Sequence, residues 1–286
     1  MSPALRDCVL DTRFGRLTAL RGGHPGAIPV LALHGWLDNA ASFVPLAAHL
    51  PGIDLLALDM PGHGSSAHLP WAAEYTVVSA ARAAFAAADA LGWERFTLLG
   101  HSLGAAVACA MAAAQPQRVQ RLGLIEAIGA LTEAETRTGQ RLRNAFNAHA
   151  AMADKRLRVF PDIATAVRVR MFANELDEPI ARLLVERGLA PVEGGFVWSS
   201  DPRLTLPTTV RMSEAQLRDL LAAIECPTRL VYAEPAFEFL PEPLRRERLA
   251  CVRHADALGL PGSHHLHMDQ PAEVAKLLRT FLCMID

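Results

Sequence analysis

Four short apolar runs, at residues 28–33, 53–58, 96–99 and 121–125, each stop against a chemically pointed segment. His34-Gly35-Trp36 follows the first, Asp59-Met60-Pro61-Gly62-His63-Gly64 the second, Gly100-His101-Ser102-Leu103-Gly104 the third and Glu126 the fourth. Helical patterns separate the runs. Strands that alternate with helices argue for an α/β fold with a mostly parallel twisted sheet and helices on both faces. In such open sheets ligands bind outside the carboxyl ends of the strands, so the four endings are expected along one rim. A chain of 286 residues, 51% hydrophobic, is long enough to bury a substantial core.

The pattern changes between residues 132 and 212. Helical segments there lack strand partners: Asp162 precedes Ile163, Ala166 and Val167, and Pro179 opens a stretch with Ile180, Leu183 and Leu184 that stops at Gly188. This span reads as a helical cap inserted into a core made of residues 1–131 and 213–286. The core resumes at Ser213, where Ser213 and Gln216 have the spacing of a capping box ahead of Leu217, Leu220, Leu221 and Ile224. Strands are expected at 228–232 and 255–260. A last helix starts at Pro271 and carries Val274, Leu277, Leu278 and Phe281 on one face.

Charge and cysteine content narrow the partners. The formal net charge is −2 and the pI about 6.6, with no basic block, so no nucleic-acid partner is expected and a small molecule is the expected ligand. The five cysteines, at 8, 109, 226, 251 and 283, are scattered and form no CxxC pair, which speaks against a disulfide framework or a zinc knuckle and for a reducing, cytoplasmic location. Charges at Arg6, Asp7, Asp11 and Arg13 interrupt the N-terminus before a signal-peptide core can form, and no apolar stretch is long enough to span a membrane. A homodimer is kept open.

Gly100-His101-Ser102-Leu103-Gly104 fits G-x-S-x-G, a sharp strand-to-helix turn that lifts a serine hydroxyl above the sheet edge. The glycines are needed where such a turn crowds its neighbours. The pattern alone is weak, and a tight turn without chemistry is the plain alternative. Its setting, between a β-prone run and the alanine-rich stretch 105–114, is what the motif requires. A serine nucleophile needs a base. His264 is the first choice and His265 the second, both in the late segment Ser263-His264-His265-Leu266-His267, since the histidine comes last in the chain order of this architecture. A metal site in that His-rich segment is disfavoured because no carboxylate or cysteine is spaced with it. Backbone N–H groups of Leu103 and Trp36 are the candidate oxyanion donors. His34, Gly35, Trp36 and His101 are candidates for lining the substrate site.

With these pieces in place, the chain resembles the serine-hydrolase-like branch of the α/β-hydrolase superfamily. The resemblance is carried by HGWLDNAASF (34–43), DMPGHGSS (59–66), GHSLGAA (100–106), LGLIEAIGAL (122–131), WSSDPRL (198–204) and SHHLHMDQP (263–271). It implies a Ser-acid-His triad, no cofactor and no metal, and a carboxylesterase-like serine hydrolase acting on an ester or related acyl bond of a small, mainly apolar substrate. It excludes haloalkane dehalogenases and epoxide hydrolases as functional models, because those place aspartate at the nucleophile position. The family's commoner acid, after the seventh strand, would fall in Ala233-Glu234-Pro235-Ala236, where alanine stands instead of aspartate. A second location known in the family, the end of the sixth strand, holds Glu126. Glu126 therefore ranks first as the triad acid, Glu234 is the alternative, and Glu238 or no acid follows. Two other readings stay open: a catalytically impaired binding protein on a hydrolase fold, and a C–C hydrolase or perhydrolase with the same triad.

Remaining marked residues read as structural. Asp59 with its PGHG turn, and Asp38 with Asn39, are expected to fix loops. Arg137, Arg141, Arg143, Arg168 and Arg170 are expected on a solvated helix face. Trp198, Phe146 and Phe172 are expected in the core of the cap.

Overall fold

The computed structural model describes residues 5–152 and 157–283; the first four and last three residues of the expected core, and 153–156 of the expected cap, lie outside them. In chain order the elements are β1 (Arg6–Thr12), β2 (Gly15–Gly23), β3 (Ile28–Leu33), α1 (Val44–Ala47), β4 (Ile53–Leu58), α2 (Val77–Ala90), β5 (Phe96–His101), α3 (Leu103–Ala114) and β6 (Val119–Ile125). Then come α4 (Thr138–Met152), α5 (Ile163–Asn174), α6 (Glu178–Gly188), β7 (Leu189–Val192), β8 (Gly195–Trp198) and α7 (Glu214–Ala222). The chain finishes with β9 (Thr228–Glu234), α8 (Glu242–Leu249), β10 (Ala255–Pro261), α9 (Leu266–Asp269) and α10 (Pro271–Cys283).

The main sheet runs β1-β2-β4-β3-β5-β6-β9-β10. From β4 to β10 every pairing is parallel, and β1 and β2 add an antiparallel edge. The antiparallel hairpin was not foreseen in the sequence: β1 reads RDCVLDT, charged and largely exposed, with only Leu10 buried. Its turn is closed by Gly15 at φ 90.

Parallel strands buried on both faces read as continuous apolar runs. β3, β4 and β5 do so, and β4 is buried at all six positions. One core layer packs α2 and α3 against Leu31, Leu33, Leu56, Leu58, Leu98 and Leu122. The other packs Phe43, Leu46 and the α10 residues Val274, Leu278, Phe281 and Leu282 against Val30, Leu55, Leu99 and Ile125. Each large buried side chain contributes about 1.5–3 kcal/mol relative to exposure. α2 starts where Thr76 and Ser79 cap each other's backbone, and Ser213 and Gln216 form the expected box at α7. Asp162 caps α5 through the N–H of Thr165.

β3 lies between β4 and β5, so the connections leaving β3 and β5 diverge to opposite sides. A crevice opens at such a switch point. The loop after β3 and the turn after β5, which hold Trp36 and Ser102, are therefore brought side by side.

The span between β6 and α7 holds α4, α5, α6 and the two-stranded hairpin β7-β8. The hairpin departs from the all-helical expectation; Gly194 at φ 83 and Gly195 at φ 147 turn it, and Phe160 bridges to Phe196. A separate cluster holds α5, α6 and the hairpin together, with Phe160, Val167, Leu184 and Val185 at its centre. Trp198 packs on Phe160 at 5.3 Å between ring centroids. Phe146 and Phe172, expected in this interior, are exposed, Phe172 at 92%. α5 turns Ala166 and Val167 inward, and Phe172 falls on its opposite side.

Candidate active site

β5 ends at His101 and α3 begins at Leu103, so Ser102 alone carries the reversal, at φ 51 and ψ −112. A non-glycine residue there costs about 1–3 kcal/mol unless its surroundings hold it. They do: Ser102 N–H donates to Ile125 O at 3.0 Å, and Ser102 O accepts from Ala105 N at 3.0 Å and Ala106 N at 3.2 Å. The flanking glycines are required by space. A Cβ on Gly104 would stand 1.9 Å from Leu33 O, and one on Gly100 would stand 2.5 Å from Gly104 O.

The N–H of Leu103 is among the first of α3, which have no partner inside the helix and sit at its positive end. The N–H of Trp36 donates to no group among the described residues. Both residues, with Ser102, line one cavity of about 670 Å³. Its walls are mostly apolar, with Met60, Val77, Leu131, Leu206, Leu217 and Leu220 among them. The Trp36 indole donates to Leu204 O at 2.9 Å, which ties this wall to the loop ahead of α7.

Glu126 directly follows β6 at φ 67, and its N–H donates to Val231 O at 2.9 Å. Its carboxylate is buried between two donors. Oε1 accepts from the N–H of Ala233, and Oε2 lies 3.1 Å from His264 Nδ1. A proton on Nδ1, shared with the carboxylate, leaves the Nε2 lone pair free. Phe237 and Phe239 approach the imidazole edge-on, with centroids at 5.1 and 5.2 Å. Glu234 and Glu238 are exposed and, among the described residues, neither meets His264. Glu234 instead lies against Gly259, where a Cβ would come within 2.4 Å of its Oε1.

Behind these groups is a buried network that sequence reading did not find. Asp38 accepts from Arg170 of α5, whose guanidinium also donates to Leu37 O at 3.2 Å. Asp38 Oδ2 faces His265 Nε2 at 3.4 Å and His101 Nδ1 at 3.7 Å. His101 Nε2 donates to His264 O at 2.8 Å. One carboxylate thus joins α5, the turn bearing Trp36, the residue before Ser102 and the segment bearing His264. Burial opposes the charge on Asp38, but the hydrogen bond from His265 and the nearby Arg170 hold its carboxyl well below the usual range. Burial, with the neighbouring histidines, holds His101 well below the usual imidazole range.

The chain matches the family model described as alpha/beta hydrolase fold over residues 28–181. "Serine hydrolase-like protein" of Danio rerio is 29% identical over 99% of this chain and 90% of its own length. "Lipase LipV" of Mycobacterium tuberculosis is 30% identical over 92% of this chain and 96% of its own. A solved structure of a hypothetical protein from Pseudomonas aeruginosa PAO1 superposes with a TM-score of 0.92 at 39% identity, covering 97% of this chain and 99% of that one. The chain belongs to the α/β-hydrolase family. Within it, the relatives place the chain in the serine-hydrolase-like branch.

Not every residue expected at the substrate stands there in this α/β hydrolase. His34 and His101 are buried and do not line the cavity. His34 fastens loops: its Nδ1 donates to Gly35 O at 2.8 Å and its Nε2 accepts from Met60 N at 3.1 Å, and burial lowers its pKa. Gly35 is also buried; a Cβ there would lie 2.9 Å from both Asp38 Oδ2 and His101 Nδ1. Trp36 does line the cavity. His265, the second choice for the base, is buried on Asp38.

Arg170 is a further correction: it is spent on Asp38, not on solvent. The signal for it was an acid right after the HGWL turn together with an arginine between Val169 and Met171 on α5, a pairing that sequence distance concealed. Asp59 has the structural setting expected of it. It receives Thr18 Oγ1 at 2.7 Å, Ala40 N at 2.8 Å and the Arg187 guanidinium at 2.7–3.1 Å. Among the described residues no cluster of three or more His, Cys, Asp or Glu is arranged to hold a metal, and no helix is long and apolar enough to cross a membrane.

Proposed function

We propose that this α/β hydrolase is a carboxylesterase-like serine hydrolase that cleaves an ester or related acyl bond of a small, mainly apolar substrate through an acyl-enzyme. Ser102 is the nucleophile, His264 the base and Glu126 the acid that orients it. The observations that carry the reading are a conformationally strained serine on the wall of an apolar cavity and an imidazole whose Nδ1 is taken by a buried carboxylate, with His101, the residue before Ser102, hydrogen-bonded to the backbone of His264.

The chemistry follows from the residues. Nε2 of His264 takes the Ser102 proton as Oγ attacks the carbonyl, and Glu126 stabilises the imidazolium that forms. Negative charge on the carbonyl oxygen is met by the N–H groups of Trp36 and Leu103, which have no other acceptor among the described residues. The imidazolium then protonates the leaving group, and water repeats the sequence on the acyl-enzyme. The span 132–212 serves as the cap: Leu204, Thr205, Leu206 and Thr208 supply one wall of the cavity. "Lipase LipV" is a named relative whose activity is of this class.

A panel of p-nitrophenyl esters of increasing acyl length, run on wild type beside Ser102→Ala, tests the reading. Turnover that depends on Ser102 and favours short to medium apolar acyl groups is expected. Equal rates in wild type and Ser102→Ala would overturn it.

A further inference from the structure

The cavity that holds Ser102 has an apolar lining with one charged exception. Arg211, between the loop that carries Leu204 and the start of α7, is the single Asp, Glu, Lys or Arg among its lining residues. Among the described residues its guanidinium makes no hydrogen bond or ion pair, and the acids nearby are committed elsewhere. Glu133 is held by Arg141. Glu74 receives both the N–H and the hydroxyl of Thr209. Arg141 and Arg137 stand on the same side, around a second hollow that shares Pro207 with the main cavity, so positive charge outnumbers negative there. Arg211 is exposed at the cavity's edge, where partial desolvation and then repulsion from Arg141 lower its pKa, with only Glu133 acting the other way.

An exposed arginine fork at the edge of an apolar pocket, without a carboxylate, has its donors free for an oxyanion of matching geometry. We propose that the substrate is amphiphilic, with an anionic carboxylate or phosphate set apart from the scissile carbonyl, and that Arg211 binds this anion at the cavity wall while the apolar lining takes the hydrocarbon between them. The inference rests on the hydrolase reading and names the substrate class of that same site.

The test compares p-nitrophenyl esters of equal chain length ending in methyl, carboxylate or phosphate, and a matched series with the charged terminus on the alcohol arm. The readout is the ratio of kcat/KM for the charged over the neutral ester, so a general loss of folded enzyme cancels. In wild type a preference of about tenfold or more for a charged ester is expected in one arm, shrinking with added salt. The ratio should fall towards one in Arg211→Gln and below one in Arg211→Glu, and persist in Arg143→Gln, which alters an exposed arginine on α4. Calorimetric binding of the same pairs to Ser102→Ala reads the preference without turnover. A ratio at or below one in both arms, or one that survives Arg211→Gln, overturns the proposal. Ser102-dependent hydrolysis of the neutral esters without that preference would leave the hydrolase reading standing and remove Arg211 from it.

Discussion

Glu126→Gln separates the orienting role of this carboxylate from its bulk. Both groups that meet the Glu126 oxygens are donors, the Ala233 N–H at Oε1 and the Nδ1–H of His264 at Oε2. A glutamine has one acceptor oxygen for these two donors. If its oxygen turns to His264, its NH2 faces the Ala233 N–H in a buried site, at a cost of about 1–3 kcal/mol. If its oxygen stays on Ala233, its NH2 faces Nδ1, and the imidazole answers by moving its proton to Nε2. The second arrangement avoids the buried donor clash and wins. It leaves Nε2 protonated, where it cannot accept the Ser102 proton. Holding the wrong tautomer costs on the order of 10⁴ in kcat in serine proteases, equivalent to about 5.4 kcal/mol of barrier. Steady-state hydrolysis of a short p-nitrophenyl ester, with thermal unfolding of the same preparation, is the assay. A loss of about 10³–10⁴ in kcat is expected while the melting temperature moves by only a few degrees, and Glu234→Gln should keep near-normal turnover. Near-normal kcat in Glu126→Gln, or a comparable loss in Glu234→Gln, would refute the reasoning.

Other consequences can be measured alongside. Gly104→Ala drives a methyl into the Leu33 carbonyl, so chemical denaturation should show destabilisation at or beyond the top of the about 1–3 kcal/mol typical of overpacking. Arg170→Gln strips the charge partner from buried Asp38 and should cost about 3–5 kcal/mol in stability and also lower kcat, because Leu37 O loses its donor beside Trp36. Stability should also fall in acid. Burial lowers His63 and His267 to about 3, against an ordinary value near 6.5. As pH drops below about 6.5 the unfolded chain binds these protons first, so stability present at neutral pH declines progressively towards pH 3, by up to about 2 kcal/mol per histidine at pH 5. His267 has no hydrogen-bond partner among the described residues, and His267→Leu should flatten this acid limb in urea titrations at pH 5 and pH 7.5.

Much of the scaffold was legible because the central strands are uninterrupted apolar runs: β3 and β4 begin and end where the sequence places them. β5 and β6 extend the expected runs by two residues each, β5 into the Gly100-His101 of its turn motif and β6 backwards through Val119 and Gln120. The β1-β2 hairpin was hidden because an exposed edge strand needs little apolar pattern. Ser102 could be read from its two glycines, since strain and crowding at a sharp turn leave a compositional mark. The Asp38 network left none. Its members lie at 38, 101, 170 and 265, and only folding shows that the histidine beside Ser102 faces the same carboxylate as the histidine beside His264. His34 and His101 misled for a related reason: neighbours in sequence of the reacting groups, they fasten loops from below instead of facing the cavity.

The central claim is that Ser102 is an activated nucleophile. It is tested most directly by reacting the protein with a fluorophosphonate and mapping the adduct by peptide mass. A single stoichiometric adduct on Ser102, absent from Ser102→Ala and much slower to form in His264→Ala, is the result this account requires. No adduct on folded wild type, or labelling that persists in Ser102→Ala, would contradict it.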